Sequence, residues 1–80
     1  MSIVETLRQE HNALQDALDA GKSALARLSE SRKGHDADPE FDAIFALREA
    51  EVNYHIAEAE KKLKILDYEI KLLESLGWDN

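Results

Sequence analysis

The sequence predicts an all-α fold: an antiparallel hairpin of two long, coiled-coil-like helices that dimerises into a four-helix bundle. Three observations lead there. Apolar residues recur at steps of three and four over two long tracts, the period that keeps one stripe of a helix against a partner. One short segment marked by Gly34 and Pro39 separates the tracts. The second tract also carries more apolar surface than a single neighbouring helix covers.

The first helix is expected over about residues 3–33. Ser2 followed by Glu5 fits a capping box, in which the serine hydroxyl and the glutamate carboxylate satisfy free amides of the first turn. Val4, Leu7, His11, Leu14, Leu18, Gly21, Leu25 and Leu28 then form an unbroken seam. Arg27, Arg32 and Lys33 gather at the negative end of the helix dipole, and Gly34 is the expected left-handed stop. A helix of this length is a rod of about 45 Å.

Residues 34–38 read as the loop. Asp38 is the expected N-cap of the second helix, Pro39 suits its first position, and Glu40 and Asp42 complement its positive end. The second helix is expected over about 39–76, ending at Gly77, with a short tail over 77–80. Its seam reads Phe41, Phe45, Arg48, Val52, Ile56, Ala59, Leu63, Leu66, Ile70 and Leu73, with one extra step of four near Val52. A short loop between long helices makes them antiparallel. If the loop turns directly, facing residues have numbers that add to about 72, and the longer second helix overshoots the start of the first.

Ile65, Tyr68, Leu72 and Leu76 form a second stripe on the second helix. Two helices make a layer with no enclosed interior, and chains of this size rarely draw more than ~3–5 kcal/mol from one core. Pairing with a second copy would cover the surplus, so a homo-oligomer, in the first place a dimer, is expected.

Composition narrows the function classes. One domain of 80 residues, 44% hydrophobic and 34% charged, fits neither a disordered chain nor a membrane protein. No run approaches the roughly 20 apolar residues of a membrane span, and no basic-then-apolar leader is seen, so a cytoplasmic location is expected. Without cysteine there is no disulfide or thiolate chemistry. The net charge of −7 is concentrated in residues 34–60, where eight acids face only Arg48. That balance argues against direct nucleic-acid binding, which needs cations to neutralise phosphate. It suits a basic protein partner.

No catalytic constellation stands out. The serines lack a histidine and acid at triad spacing, and there is no glycine-rich phosphate loop. No enzyme activity and no cofactor are expected. His11 occupies a seam position where leucine is usual, which suits a polar pin of register and oligomer state. Gly21, flanked by Ala17, Ala20 and Ala24, marks either a close approach, with Tyr54 or an aromatic of a second chain over the gap, or a tolerated weak spot or bend in the helix. Trp78 is either an interface anchor or part of a helix cap after Gly77.

The first expectation is therefore a small interaction module, of adaptor, co-chaperone or inhibitor type. Its seam comprises His11, Leu14, Leu18, Gly21, Leu25, Leu63, Leu66, Ile70 and Leu73; its partner surface comprises Ile65, Tyr68, Leu72, Leu76 and Trp78. A second expectation is a metal-binding bundle: Glu51, His55 and Glu58 share one helix face, and His11 of another chain could join them. The third is an acidic decoy that occupies a nucleic-acid-binding protein.

Overall fold

The structure, a computed structural model, describes residues 2–34 and 38–78. Two helices, α1 (Ile3–Lys33) and α2 (Pro39–Ser75), pack side by side as a hairpin. The molecule is a rod, 59 Å long and 15 Å by 13 Å across. Residues 35–37 of the expected loop, and residues 79 and 80 of the tail, lie outside the described residues.

The helix ends follow from local chemistry. Ser2 has extended backbone angles, and its Oγ accepts from the Glu5 amide at 3.1 Å. The reciprocal half of the expected capping box does not form; instead Thr6 Oγ1 donates to the Ser2 carbonyl at 3.2 Å. Asp38 caps α2, its Oδ1 accepting from the amides of Glu40 at 3.0 Å and Phe41 at 3.4 Å. Pro39 occupies the first turn, where its missing N–H has no intrahelical bond to make.

The two C-terminal ends differ. Gly34 does not take the left-handed conformation expected of it: at φ −81° it stays right-handed, and its amide donates to the Ser31 carbonyl at 3.2 Å. A tightened last turn satisfies that carbonyl without positive φ. Gly77 is left-handed at φ 78°, with the Trp78 amide donating to Leu73 O at 2.9 Å and the Gly77 amide to Glu74 O at 3.1 Å. That pair of bonds is a Schellman cap, and it ends α2 at Ser75 with Leu76 as the cap residue.

The register differs from that of a directly turning loop. A Cβ built on Gly21 would lie 3.1 Å from Ile56 Cγ1. Leu18, Ala59 and Leu63 form the buried cluster, with Leu14 and Ile56 packed against it. Facing residues thus have numbers adding to about 77, as Gly21 and Ile56 do, rather than 72. A shift of five residues is about 7.5 Å along the axis. α2 therefore projects beyond α1 at the loop end, and its C-terminus finishes level with the start of α1. The expected overshoot at the other end does not occur.

The reason lies in the seams. Continued along both helices, this register faces Val4 with Leu73, Leu7 with Ile70, His11 with Leu66, Leu14 with Leu63, Leu18 with Ala59, Gly21 with Ile56 and Leu25 with Val52. Large residues meet small ones at Leu18–Ala59 and Gly21–Ile56. The register of 72 would have set Gly21 against Glu51 and Leu14 against Glu58. Burying apolar side chains outweighs the shortest connection between the helices, because the entropy cost of closing a loop changes only slowly with its length.

The same register corrects the α2 seam. Arg48 points outward and pairs with Glu51 at 3.5 Å on its own helix. Glu49 takes the seam position, so the steps run Phe45, Glu49, Val52, Ile56, Ala59 with no extra step of four. Arg32 of α1 answers the polar seam residues. Its Nε donates to Asp42 Oδ1 at 2.9 Å, and its Nη1 lies 3.4 Å from both carboxylate oxygens of Glu49. Asp42's hydrogen bond and charge raise the Arg32 pKa above its ordinary value, so the guanidinium stays cationic.

Candidate interaction surface

The seam residues proposed from sequence lie between the helices. Leu18, Leu63, Leu66 and Ile70 are buried, and His11, Leu14, Gly21, Leu25 and Leu73 are partly buried. His11 Nε2 sits 3.0 Å from Asp67 Oδ1, so a polar residue within the seam finds its partner at the edge of the facing helix. Gly21 is covered by Ile56, not Tyr54: the tyrosine is exposed, with its ring 5.6 Å from that of His55 at a steep angle. The shift of register is the cause, because it moves Tyr54 off the α1 side of α2.

Ile65, Tyr68, Leu72, Leu76 and Trp78 all remain exposed on a single chain, Tyr68 by 69% and Leu76 by 62%. The contact with α1 covers none of them fully: Ile65, Tyr68 and Leu72 lie about 140° around α2 from its seam at 100° per residue, and Leu76 and Trp78 follow its last turn. A shallow groove of about 210 Å³, lined by Leu7, Glu10, Leu14, Lys62, Ile65, Leu66 and Glu69, runs between this row and α1. Glu10 marks the neighbouring face of α1. Ala17 and Ala24 follow it at seven-residue intervals, so that face is low.

The row is longer than the stretch singled out from sequence. Ile44, Leu47 and Tyr54 are also exposed, by 55%, 68% and 63%. They continue the same line toward the loop. From Ile44 the positions are 44, 47, 51, 54, 58, 61, 65, 68, 72 and 76, with steps that alternate three and four until the last, which repeats four. α2 thus carries a second heptad seam along nearly its whole length. Glu51, Glu58 and Lys61 interrupt it in the middle, which hides the period when only apolar residues are followed. Writing out every heptad position, polar ones included, would have found it.

The candidate metal ligands do not converge. Glu51 is engaged by Arg48, His55 by the ring of Tyr54 and His11 by Asp67. The two histidines lie about 16 Å apart along the axis, since His11 is level with Leu66; the register of 72 had put them about 9 Å apart. Among the described residues no three metal-ligating side chains come together. The acids of residues 38–60 are spread around α2, and Asp42 and Glu49 are spent on Arg32. No helix among the described residues is long and apolar enough to cross a membrane.

No protein-family model, curated protein or solved structure matches the chain.

Proposed function

We propose that this chain is a small, non-enzymatic protein–protein interaction module that self-associates through its heptad stripes, two copies forming a four-helix bundle. The observation that supports it is the exposed row on α2. The hairpin satisfies its own seam and still leaves Ile65, Tyr68, Leu72 and Leu76 in water, flanked by Trp78. Apolar rows of this length on a water-soluble surface mark association sites. Fully burying one large side chain contributes about 1.5–3 kcal/mol, so the row as a whole, repeated in both copies, is the main source available to offset the cost of association.

Leu72→Asp tests the proposal. The expected result is a fall in solution mass toward 9.1 kDa, one chain, by sedimentation or light scattering, with helicity retained. Glu60→Lys changes charge at a position on neither stripe and leaves the assembly intact. If Leu72→Asp has the same mass and stability as the parent, the row is no interface. With the bundle formed, an adaptor, co-chaperone or inhibitor would engage a heterologous protein through the acids of α2, which meet basic residues of that partner.

A further inference from the structure

The ten positions of the second seam have a symmetry of their own. Read from the two ends toward the middle, they pair Ile44 with Leu76, Leu47 with Leu72, Glu51 with Tyr68, Tyr54 with Ile65, and Glu58 with Lys61. The numbers in each pair add to 119 or 120. Two copies of α2 laid antiparallel about a two-fold axis between Ala59 and Glu60 would meet in these pairs, each occurring twice. Every layer is then compatible. Three are apolar, one sets a carboxylate beside a phenol, and the central one sets Glu58 against Lys61. The four inner pairs each join one class of heptad position to the other, as antiparallel packing of two helices requires, and Leu76, one residue past that spacing, closes the end.

The geometry points to an antiparallel, two-fold pairing of α2 with α2 of a second copy, centred on Glu58 and Lys61, as the contact that assembles this protein. The inference rests on the self-association proposed above and supplies its register and direction. Charge complementarity selects the occupant and the direction together. In a parallel pair Glu51 would meet Glu51, Glu58 would meet Glu58 and Lys61 would meet Lys61, each like against like. Among the described residues neither Glu58 nor Lys61 forms an ion pair within its own chain, so both are free to serve a neighbour. The low face of α1 beside the seam, with Ala17 and Ala24, leaves room for the second copy to approach. An isologous contact of this kind closes on itself and stops at the dimer.

Cysteine pairing reads direction and register at once, because the chain has no cysteine of its own. Leu47→Cys and Leu72→Cys are made as separate chains, both at positions exposed in the hairpin. Mixed and oxidised, they should give a covalent dimer of about twice 9.1 kDa. Each variant alone should stay uncoupled, since its two copies would lie about 37 Å apart. Tyr54→Cys mixed with Ile65→Cys gives a second, independent reading of the same register. Coupling of Leu47→Cys with itself would show parallel pairing and overturn the inference. No coupling in any mixture, with the parent chain still sedimenting as a dimer, would place the contact on another face; it would overturn the inference and leave the proposed function standing. A parent chain that stays at 9.1 kDa at every concentration would overturn both. Glu58→Lys should weaken the dimer about tenfold, and mixing it with Lys61→Glu should restore it.

Discussion

Near the chain ends, Val4 to Leu18 on α1 face Ala59 to Leu73 on α2, and all six buried residues of the described chain lie in this half. Toward the loop, Leu25 to Arg32 face Phe45 to Val52, and not one residue is buried. Both halves use the same heptad spacing, so period alone does not distinguish them. The content of the seam does. In the first half every facing pair is apolar except His11 with Leu66, and the histidine turns its polar edge to Asp67. In the second, Arg32 reaches Asp42 and Glu49, and the first turn of α2 runs beyond the end of α1 with Phe41 stacked on Phe45 at 6.1 Å. A heptad repeat sets which residues face each other; the residues there decide whether the contact excludes water.

Truncating one leucine in each half gives the largest contrast. Leu66→Ala, in the buried half, should cost about 2–5 kcal/mol in chemical denaturation followed by circular dichroism. Leu25→Ala, toward the loop, should cost less than half as much, because its site already admits water. Equal losses would mean that the two halves are equally tight and would break the comparison.

The boundary between the halves can be tested at Gly21. An alanine in mid-helix is favoured over glycine by about 1 kcal/mol, but here its Cβ would press on Ile56 Cγ1. Gly21→Ala alone should therefore change stability little. Made together with Ile56→Ala, which removes the obstructing carbon, it should recover that ~1 kcal/mol relative to Ile56→Ala alone. If Gly21→Ala alone gives the full gain, the helices do not approach closely there.

The smallest effect belongs to Arg32. Its raised pKa means that, wherever its carboxylate partners are ionised, its pairing is fully present below the range where a free guanidinium titrates and is lost only as pH rises beyond that range. Salt is therefore the useful variable. Arg32→Met should lower the melting temperature slightly in dilute buffer, and the difference should shrink in 1 M salt, where charges are screened within about 3 Å. A loss that persists at high salt would point to packing by the arginine stem instead.

Much of this was legible before any coordinates. The helix starts at Ser2 and Asp38 follow from side chains that bond free amides within the next three residues, an interaction contained in a few consecutive positions. The Gly77 cap is equally local. The α1 seam and the apolar stretch from Ile65 to Leu76 were visible as periods. Less legible were features that depend on both helices at once. From Phe45 a step of three reaches Arg48 and a step of four reaches Glu49; both are charged, and only Arg32 on the other helix makes the glutamate the occupant of the seam. Tyr54 covers Gly21 only in the register of a directly turning loop, and nothing local to either helix rules that register out.

By itself the sequence determined two amphipathic helices, their ends, and an antiparallel hairpin, since these follow from caps and spacing along one strand of chain. Only the tertiary structure decided the register between the helices, and with it which stripe of α2 is closed by α1 and which is left to water. Both stripes are heptads, and a five-residue slide exchanges them. The choice falls to the pairing in which Ile56 fills the space over Gly21 and Leu63 meets Leu14, a sum over contacts between residues far apart in the chain.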